Sequence, residues 1–198
     1  MQIFRNTFGT ISPSPIRQLY GNSGGTLIVP IDIILFRGGT FSPPTSSGSF
    51  NGAEVVTSSG TVLGNISSSP WPPIDPTNVE PFVKITPDLS LNLDSFANII
   101  STAIPTLNQD DTVELVRDGA TNISGKIVDS SIQERTYIDF SFRVNSFIVR
   151  FNRILLRDLH GSKIVKSSGG QLIGMLIATQ NNSDGTCDTL IFPANLVN

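Results

Sequence analysis

Two residues in this 198-residue sequence stand out as single copies with chemical reactivity, His160 and Cys187. An imidazole can act as a general base, and a thiolate paired with it is a strong nucleophile, so a Cys187–His160 dyad is one catalytic hypothesis. Cys187 lies in the polar segment 179–188, where Asp184 and Asp188 are expected to raise the pKa of its thiol. A raised pKa works against activation, and an inert cysteine is the favoured interpretation.

Two serines lie in glycine-rich segments that resemble nucleophile motifs. Ser23 lies in GNSGG (21–25), and Ser168 lies in KSSGG (166–170). Glycine pairs supply the positive φ angles that tight turns require, so both segments are interpreted as turns. The sequence shows no metal-ligand cluster, phosphate-binding loop or dinucleotide fingerprint, so no metal and no cofactor are expected.

The elements that would position these side chains are short segments rich in Val, Ile, Thr and Phe, each bounded by Gly, Pro, Asn or Ser. One segment, 94–103, predicts a helix with Asp94 as its N-cap. Two loops, 37–52 and 67–78, are too rich in Gly, Ser and Pro to belong to the core. The predicted strands are 26–36, 53–58, 61–66, 81–86, 112–117, 123–130, 136–142, 146–156, 162–166, 171–178 and 189–193.

This pattern predicts an all-β protein, because many short strands separated by turns are typical of barrels and sandwiches. Residues 86–111 hold the predicted helix and divide the strands into two groups. The expected organisation is an N-terminal β-barrel over 1–90, a connecting helix and loop over 91–110, and a C-terminal β-barrel over 111–198.

The second half carries a family resemblance. DTVELVRDGAT (111–121) with SGKIV (124–128) resembles the hairpin that opens the second barrel of bacterial trypsin-like peptidases. DLHGS (158–162), the strand KIV (163–165), the turn at 167–170, and QLIGMLIA (171–178) follow in the order of that family, and LIFPA (190–194) closes it. The resemblance implies a double β-barrel of the trypsin or chymotrypsin type.

The resemblance also implies where the catalytic triad should lie. His160 falls in the place of the nucleophilic serine, and Leu159 replaces the aspartate before it. Glu80, within NVEPFVKI (78–85), falls in the place of the catalytic aspartate, and the expected histidine falls near Ile33. A triad needs a nucleophile, a base and an orienting carboxylate. The sequence therefore predicts a degenerate triad, a chain that is not an enzyme, and at most a backbone turn at Gly161 that survives from the oxyanion hole.

The two serine motifs do not restore the triad in this alignment. Ser23 precedes nearly all the strands, whereas the family's serine comes late in the chain. Ser168 would leave two strands after the nucleophile where the fold needs three, so 166–170 is interpreted as a hairpin turn.

Composition narrows the classes of partner. Charged residues make up 15% of the chain and its net charge is −3, with Lys and Arg scattered, so nucleic-acid binding is not expected. No apolar stretch is long enough to span a bilayer and no secretory signal is recognised at the N-terminus, so synthesis in the cytoplasm without membrane association is expected. A polar surface with few charges favours burial against other subunits.

These observations lead to three hypotheses. The first is a non-catalytic structural or interaction protein in a homo- or hetero-oligomeric assembly, such as a capsid-decorating or tail-associated component of a phage virion. The second is a serine- or cysteine-type peptidase of unusual mechanism that uses Ser23, Ser168 or Cys187. The third is a peptide-binding module that uses the former substrate groove and binds an extended strand at a sheet edge.

Overall fold

A computed structural model describes residues 7–11, 20–21, 26–30, 34–35, 52, 54–57, 61–68, 75, 77–92, 97–98, 101, 103–117, 119–137, 142–156 and 159–197. Within these residues the only helical element is a short 3-10 helix, Ala194–Leu196. The all-β prediction is therefore confirmed. No helix among the described residues has the length and apolar character needed to cross a membrane. The chain forms two compact units, Met1–Asn98 and Ile99–Asn198.

The first unit contains one eight-stranded sheet, in the order β4-β1-β5-β6-β7-β3-β2-β8. Its buried core includes Leu27, Val29, Leu63 and Phe82, each 0% exposed. The predicted strand 26–36 is divided between β3 and β4, and Ile33 lies outside the described residues. The strands are β1 (Thr7–Ile11), β2 (Tyr20–Gly21), β3 (Leu27–Pro30), β4 (Ile34–Leu35), β5 (Glu54–Thr57), β6 (Val62–Ser68), β7 (Phe82–Pro87) and β8 (Ala97–Asn98).

The predicted helix over 94–103 is wrong. Ala97–Asn98 forms β8, which pairs in parallel with β2, and Ser101 donates a backbone hydrogen bond to the carbonyl oxygen of Ala194. The segment contains Asn, Ser, Thr and two adjacent Ile residues, which all have modest helix propensity. These backbone hydrogen bonds therefore stabilise a non-helical conformation more than the weak helix propensity of the segment stabilises a helix.

The second unit is a closed six-stranded barrel in the order β10-β11-β14-β13-β12-β9, where β9 also pairs with β10. Alternating residues point inward, and Phe147, Phe151, Ile173 and Ile191 are among the fully buried side chains. A barrel closed in this way buries a continuous core. Its strands are β9 (Thr112–Leu115), β10 (Ile123–Tyr137), β11 (Phe142–Phe151), β12 (Lys163–Lys166), β13 (Leu172–Asn181) and β14 (Cys187–Pro193).

The predicted strands 123–130 and 136–142 are not separate strands. β10 continues from Ile123 to Tyr137 through a bulge, where the segment 130–132 lies opposite Phe147 alone. Arg135 stabilises the bulge, since its guanidinium donates to the carbonyl oxygen of Ser146 and binds the Asp129 carboxylate at 2.5 Å. The side chain thus donates to one backbone carbonyl within the bulge, that of Ser131, and to one on the opposite strand, that of Ser146.

Candidate functional site

His160 lies in the tight turn 159–162 between β11 and β12. Gly161 has φ +91°, a conformation that side chains with a Cβ rarely adopt, so glycine is required there. The N–H of Gly161 donates to the carbonyl oxygen of Leu176 at 2.7 Å. The N–H of Ser162 donates to the carbonyl oxygen of Leu159 at 3.0 Å. Both amides are therefore engaged inside the protein, and neither is available to donate to an oxyanion.

The His160 side chain is 5% exposed, and its Nε2 lies 3.0 Å from the hydroxyl Oγ1 of Thr179. Thr179 belongs to β13 and is partly exposed. A hydroxyl and an imidazole at this distance form the geometry in which a base can accept the proton of a nucleophile. The structure therefore gives His160 a hydroxyl partner that the sequence analysis missed.

Ser162 brings a second hydroxyl to this turn. It is 1% exposed, and no described residue accepts or donates a hydrogen bond at its Oγ. A buried polar atom without a partner is uncommon in folded proteins. The His160 turn therefore contains a buried hydroxyl oxygen that has no hydrogen-bond partner among the described residues.

The cysteine hypothesis is not supported by the geometry. Cys187 begins β14 rather than lying in a polar loop, and its side chain is fully buried in the barrel core. Burial, the largest cause, raises the pKa of the thiol, and the nearby Asp188 charge raises it further. The thiol contacts backbone groups of Leu155, Gln180 and Asp188, while the imidazole of His160 contacts Thr179.

The other predicted positions are not brought to the His160 turn within the second unit. Ser168 lies exposed in the β12–β13 turn, where Gly169 and Gly170 have positive φ, and the predicted hairpin turn is confirmed. Glu80 belongs to the first unit and directly precedes β7, where it is half-buried. Ser23, like Ile33, lies outside the described residues.

The backbone beside Thr179 forms an open strand edge. β12 begins at Lys163 opposite Met175, and Gly161 and Ser162 extend that ladder by one residue to Leu176. Beyond Leu176, no described backbone group pairs with β13 on the β12 side. On its other side β13 pairs with β14 as far as Asn181. Among the described residues, 177–180, called the β13 edge below, therefore pair with a neighbouring strand on one side only.

The described residues contain no group of three or more His, Cys, Asp or Glu side chains that could hold a metal ion. A shallow pocket of about 420 Å³ lies elsewhere in the second unit, lined by residues that include Ser101, Pro105 and Leu172. It contains none of the residues around His160. The hydroxyl–imidazole pair and the β13 edge therefore define the candidate site.

Comparison with known proteins identifies the fold. No protein-family model matches the sequence, and no curated protein matches it. The structure is similar to that of a glutamic acid-specific serine protease that uses a histidine triad in substrate binding. The two share 12% identity and a TM-score of 0.53, over 88% of this chain and 83% of that one.

Two further solved structures are similar over most of the chain. A chymotrypsin from Cellulomonas bogoriensis shares 11% identity, with a TM-score of 0.49, over 89% of this chain and 83% of its own. A protease from Nocardiopsis shares 15% identity, with a TM-score of 0.49, over 89% of this chain and 84% of its own. At such identities the likeness concerns the fold. The chain has the fold of trypsin-like serine proteases, as the motifs of its second half predict.

One of these neighbours corrects an expectation. The structure with a TM-score of 0.53 is that of a serine protease, which contradicts the prediction that this chain is not an enzyme. That prediction was based on the single histidine of the chain and on its position in place of the nucleophilic serine. One imidazole is enough to provide a base, and the structure places a hydroxyl against it, so the count alone does not exclude peptidase chemistry.

Proposed function

We propose that this chain acts on polypeptides and binds an extended segment of its substrate as an added strand along the β13 edge. The observation that supports the proposal is the unequal length of two neighbouring strands, four residues in β12 and ten in β13. Open strand edges pair readily with extended chains, since main-chain hydrogen bonds supply the affinity.

The β13 edge is suited to this role because its other side is already ordered. Pairing with β14 fixes the backbone of Ala178, Thr179 and Gln180 before any ligand arrives. A preformed edge loses little conformational entropy on binding. The similar glutamic acid-specific protease acts on polypeptides within the same fold, which supports the same class of substrate here.

Amide hydrogen exchange on the full chain tests this proposal. A library of unstructured peptides is added, and the expected result is slower exchange for amides within 177–180. Exchange in the β10–β11 pair serves as the internal control and is expected to stay unchanged. If no peptide slows exchange at the β13 edge, the proposal is wrong.

A second candidate function, peptide-bond hydrolysis, is favoured by the 3.0 Å contact between Thr179 and His160. In this mechanism the Oγ1 of Thr179 attacks the carbonyl carbon of a peptide bound at the edge, and its proton passes to Nε2 of His160. The imidazolium then gives that proton to the leaving amine nitrogen, so an ester replaces the amide. Water hydrolyses the ester and restores the hydroxyl.

A fluorophosphonate probe followed by peptide mass mapping tests the hydrolytic candidate. Attachment to Thr179, and its loss in Thr179→Val and in His160→Ala, is the expected result. Ser168→Ala is a matched control, because that serine lies in an exposed turn, and labelling should persist in it. Attachment at Ser168 or Ser23 instead would contradict the role of Thr179.

Membership of a larger assembly, such as a virion, stays a prediction from composition. The assignment of Ile33, Glu80 and His160 to the triad positions also stays a prediction. Size-exclusion chromatography with light scattering tests the assembly, and a monomer at all concentrations would count against it.

A further inference from the structure

The first unit presents one large apolar side chain entirely to solvent. Leu89 lies in the turn 88–91, called the Leu89 turn below, and its side chain is 104% exposed. It is the most exposed large apolar side chain among the described residues. Single exposed leucines are common on soluble proteins, so the rigidity of the turn and the presence of a matching recess decide whether this one has a role.

Hydrogen bonds hold the backbone of the Leu89 turn in one conformation. The N–H of Asp88 donates to the carbonyl oxygen of Leu63 in β6 at 2.9 Å, and the N–H of Leu91 donates to the carbonyl oxygen of Asp88 at 3.1 Å. The Asp88 carboxylate accepts two more bonds from Ser90, at 2.6 Å from its hydroxyl and at 2.9 Å from its N–H. Leu89 is therefore positioned before any partner binds, which lowers the entropy cost of a contact.

The second unit contains a recess that suits an apolar side chain. The shallow pocket of about 420 Å³, called the linker pocket below, is lined by the connection before β9 and by the turn that leads into β13. Its volume lies within the range of pockets that hold ligands in proteins. None of its lining residues is charged, and four of the six are apolar: Ser101, Ala103, Ile104, Pro105, Gln171 and Leu172.

The two walls of the linker pocket are fixed by Lys166. Its Nζ donates to the carbonyl oxygen of Thr106 at 3.0 Å, and its backbone N–H donates to the carbonyl oxygen of Gln171 at 2.8 Å. The N–H of Ser101 donates to the carbonyl oxygen of Ala194 at 3.2 Å and fastens the start of the connection. The pocket is therefore formed before any ligand enters it.

Polar groups on the two surfaces are also complementary. The N–H and the carbonyl oxygen of Leu89 form no hydrogen bond with any described residue, and neither does the side-chain amide of Gln171. A primary amide both donates and accepts, so Gln171 can bond with either backbone group. Insertion of Leu89 into the linker pocket would bury apolar surface and give these polar groups partners.

We infer that this chain associates with copies of itself, with the Leu89 turn of one copy inserted into the linker pocket of the next. The turn and the pocket are different surfaces, so the contact is heterologous and generates a head-to-tail chain or a ring of copies. The inference goes beyond the proposed function, since neither surface includes His160, Thr179 or the β13 edge.

Two complementary variants test the contact by sedimentation equilibrium over a series of concentrations. Leu89→Asp removes the leucine and keeps the pocket, whereas Ala103→Glu places a charge in the pocket and keeps the leucine. The mass of the unmodified chain should rise above that of a monomer, and each variant alone should associate at least about tenfold more weakly. A 1:1 mixture of the variants should form a heterodimer that grows no further, because one intact turn and one intact pocket remain to pair.

Matched controls lie outside both surfaces. Leu156→Ser, at a leucine that is 65% exposed, and Ala120→Glu, at an exposed alanine of the β9–β10 turn, should leave the association unchanged. All four substituted side chains are at least partly exposed, and unchanged thermal unfolding curves would show that the fold is intact.

Amide hydrogen exchange of the unmodified chain gives a readout that needs no variant. A higher protein concentration should slow exchange at Leu89 and Gln171 and leave the β10–β11 pair unchanged. A monomer at all concentrations, association that persists in both variants, or a mixture that forms no heterodimer would each overturn the inference. None of these outcomes bears on the proposed function, because peptide binding is measured at 177–180.

Discussion

The imidazole Nε2 of His160 and the hydroxyl Oγ1 of Thr179 lie 3.0 Å apart and connect the turn before β12 to the middle of the β13 edge. The imidazole is almost completely buried, so its polar atoms depend on partners within the protein. The same contact is therefore a structural hydrogen bond and the centre of the candidate site.

Replacing Thr179 by Val keeps the side-chain shape and removes this hydrogen bond. We expect the free energy of unfolding to fall by about 1–3 kcal/mol, because the buried imidazole loses a partner. Thr179→Ser keeps the hydroxyl and should retain most of the stability. Urea unfolding measures both, with Thr112→Val at an exposed position of β9 as the control. Equal stability of the Val and Ser variants would show that the hydrogen bond contributes nothing.

Replacing Asn181 by Leu removes both hydrogen bonds to the backbone of Leu155. We expect a loss of about 1–3 kcal/mol in the free energy of unfolding, since two backbone groups lose their partners at a partly buried site. Amide exchange at Leu155 should also become faster. Asn152→Leu, at an exposed asparagine of the same connection, is the matched control and should leave both quantities unchanged. Slow exchange at Leu155 in the Asn181 variant would contradict the anchoring role.

Acid should destabilise the protein over a pH range that is determined in part by the pKa of Asp129. Hydrogen bonds from Ser131, first from its hydroxyl and then from its N–H, lower the pKa of Asp129 to about 2, and Arg135 contributes further. Because the folded pKa lies below the unfolded value, the stabilisation is present above about pH 4 and is lost as the pH falls toward about 2. Asp129→Asn should flatten this part of the stability curve, as thermal unfolding at a series of pH values would show. Asp110→Asn, in the turn before β9, is the control.

The thiol of Cys187 should be unreactive in the folded protein. Its side chain is fully buried and its pKa is raised by that burial. We expect Ellman's reagent to react at least about a hundredfold more slowly with the folded chain than with the chain in urea. Cys187→Ala should leave any peptide binding or hydrolysis intact. Rapid labelling of the folded protein would reopen the cysteine hypothesis.

The sequence predicts the second unit better than the first because its strands carry ordered motifs. LIGMLIA lies within β13, and the SSGG turn before it is placed correctly. The strand β10 was divided in the prediction because the polar run 129–135 has the composition of a loop. Its continuation depends on Arg135, whose contact with Ser146 spans eleven positions along the chain and leaves no local signal.

The site was predictable only in part for the same reason. His160 is conspicuous as the single histidine, and the motif order places it correctly at the turn before β12. Thr179 is one of many threonines, and it is nineteen positions from His160. Only the folded barrel brings it to the imidazole. Likewise, Cys187 is buried because it lies in β14. The polar residues before it in the sequence predict a loop and not a strand.

The amide side chain of Asn181 has a consequence for how this connection can change. By holding Leu155 at both its N–H and its carbonyl oxygen, it fastens the middle of the β11–β12 connection to the barrel, much as a neighbouring strand would. Leu155 is thereby fixed to the barrel. The exposed side chains of Ile154 and Leu156 on either side of it could be varied while the barrel and the imidazole stay in place, which makes this connection a natural site for diversifying what the protein recognises.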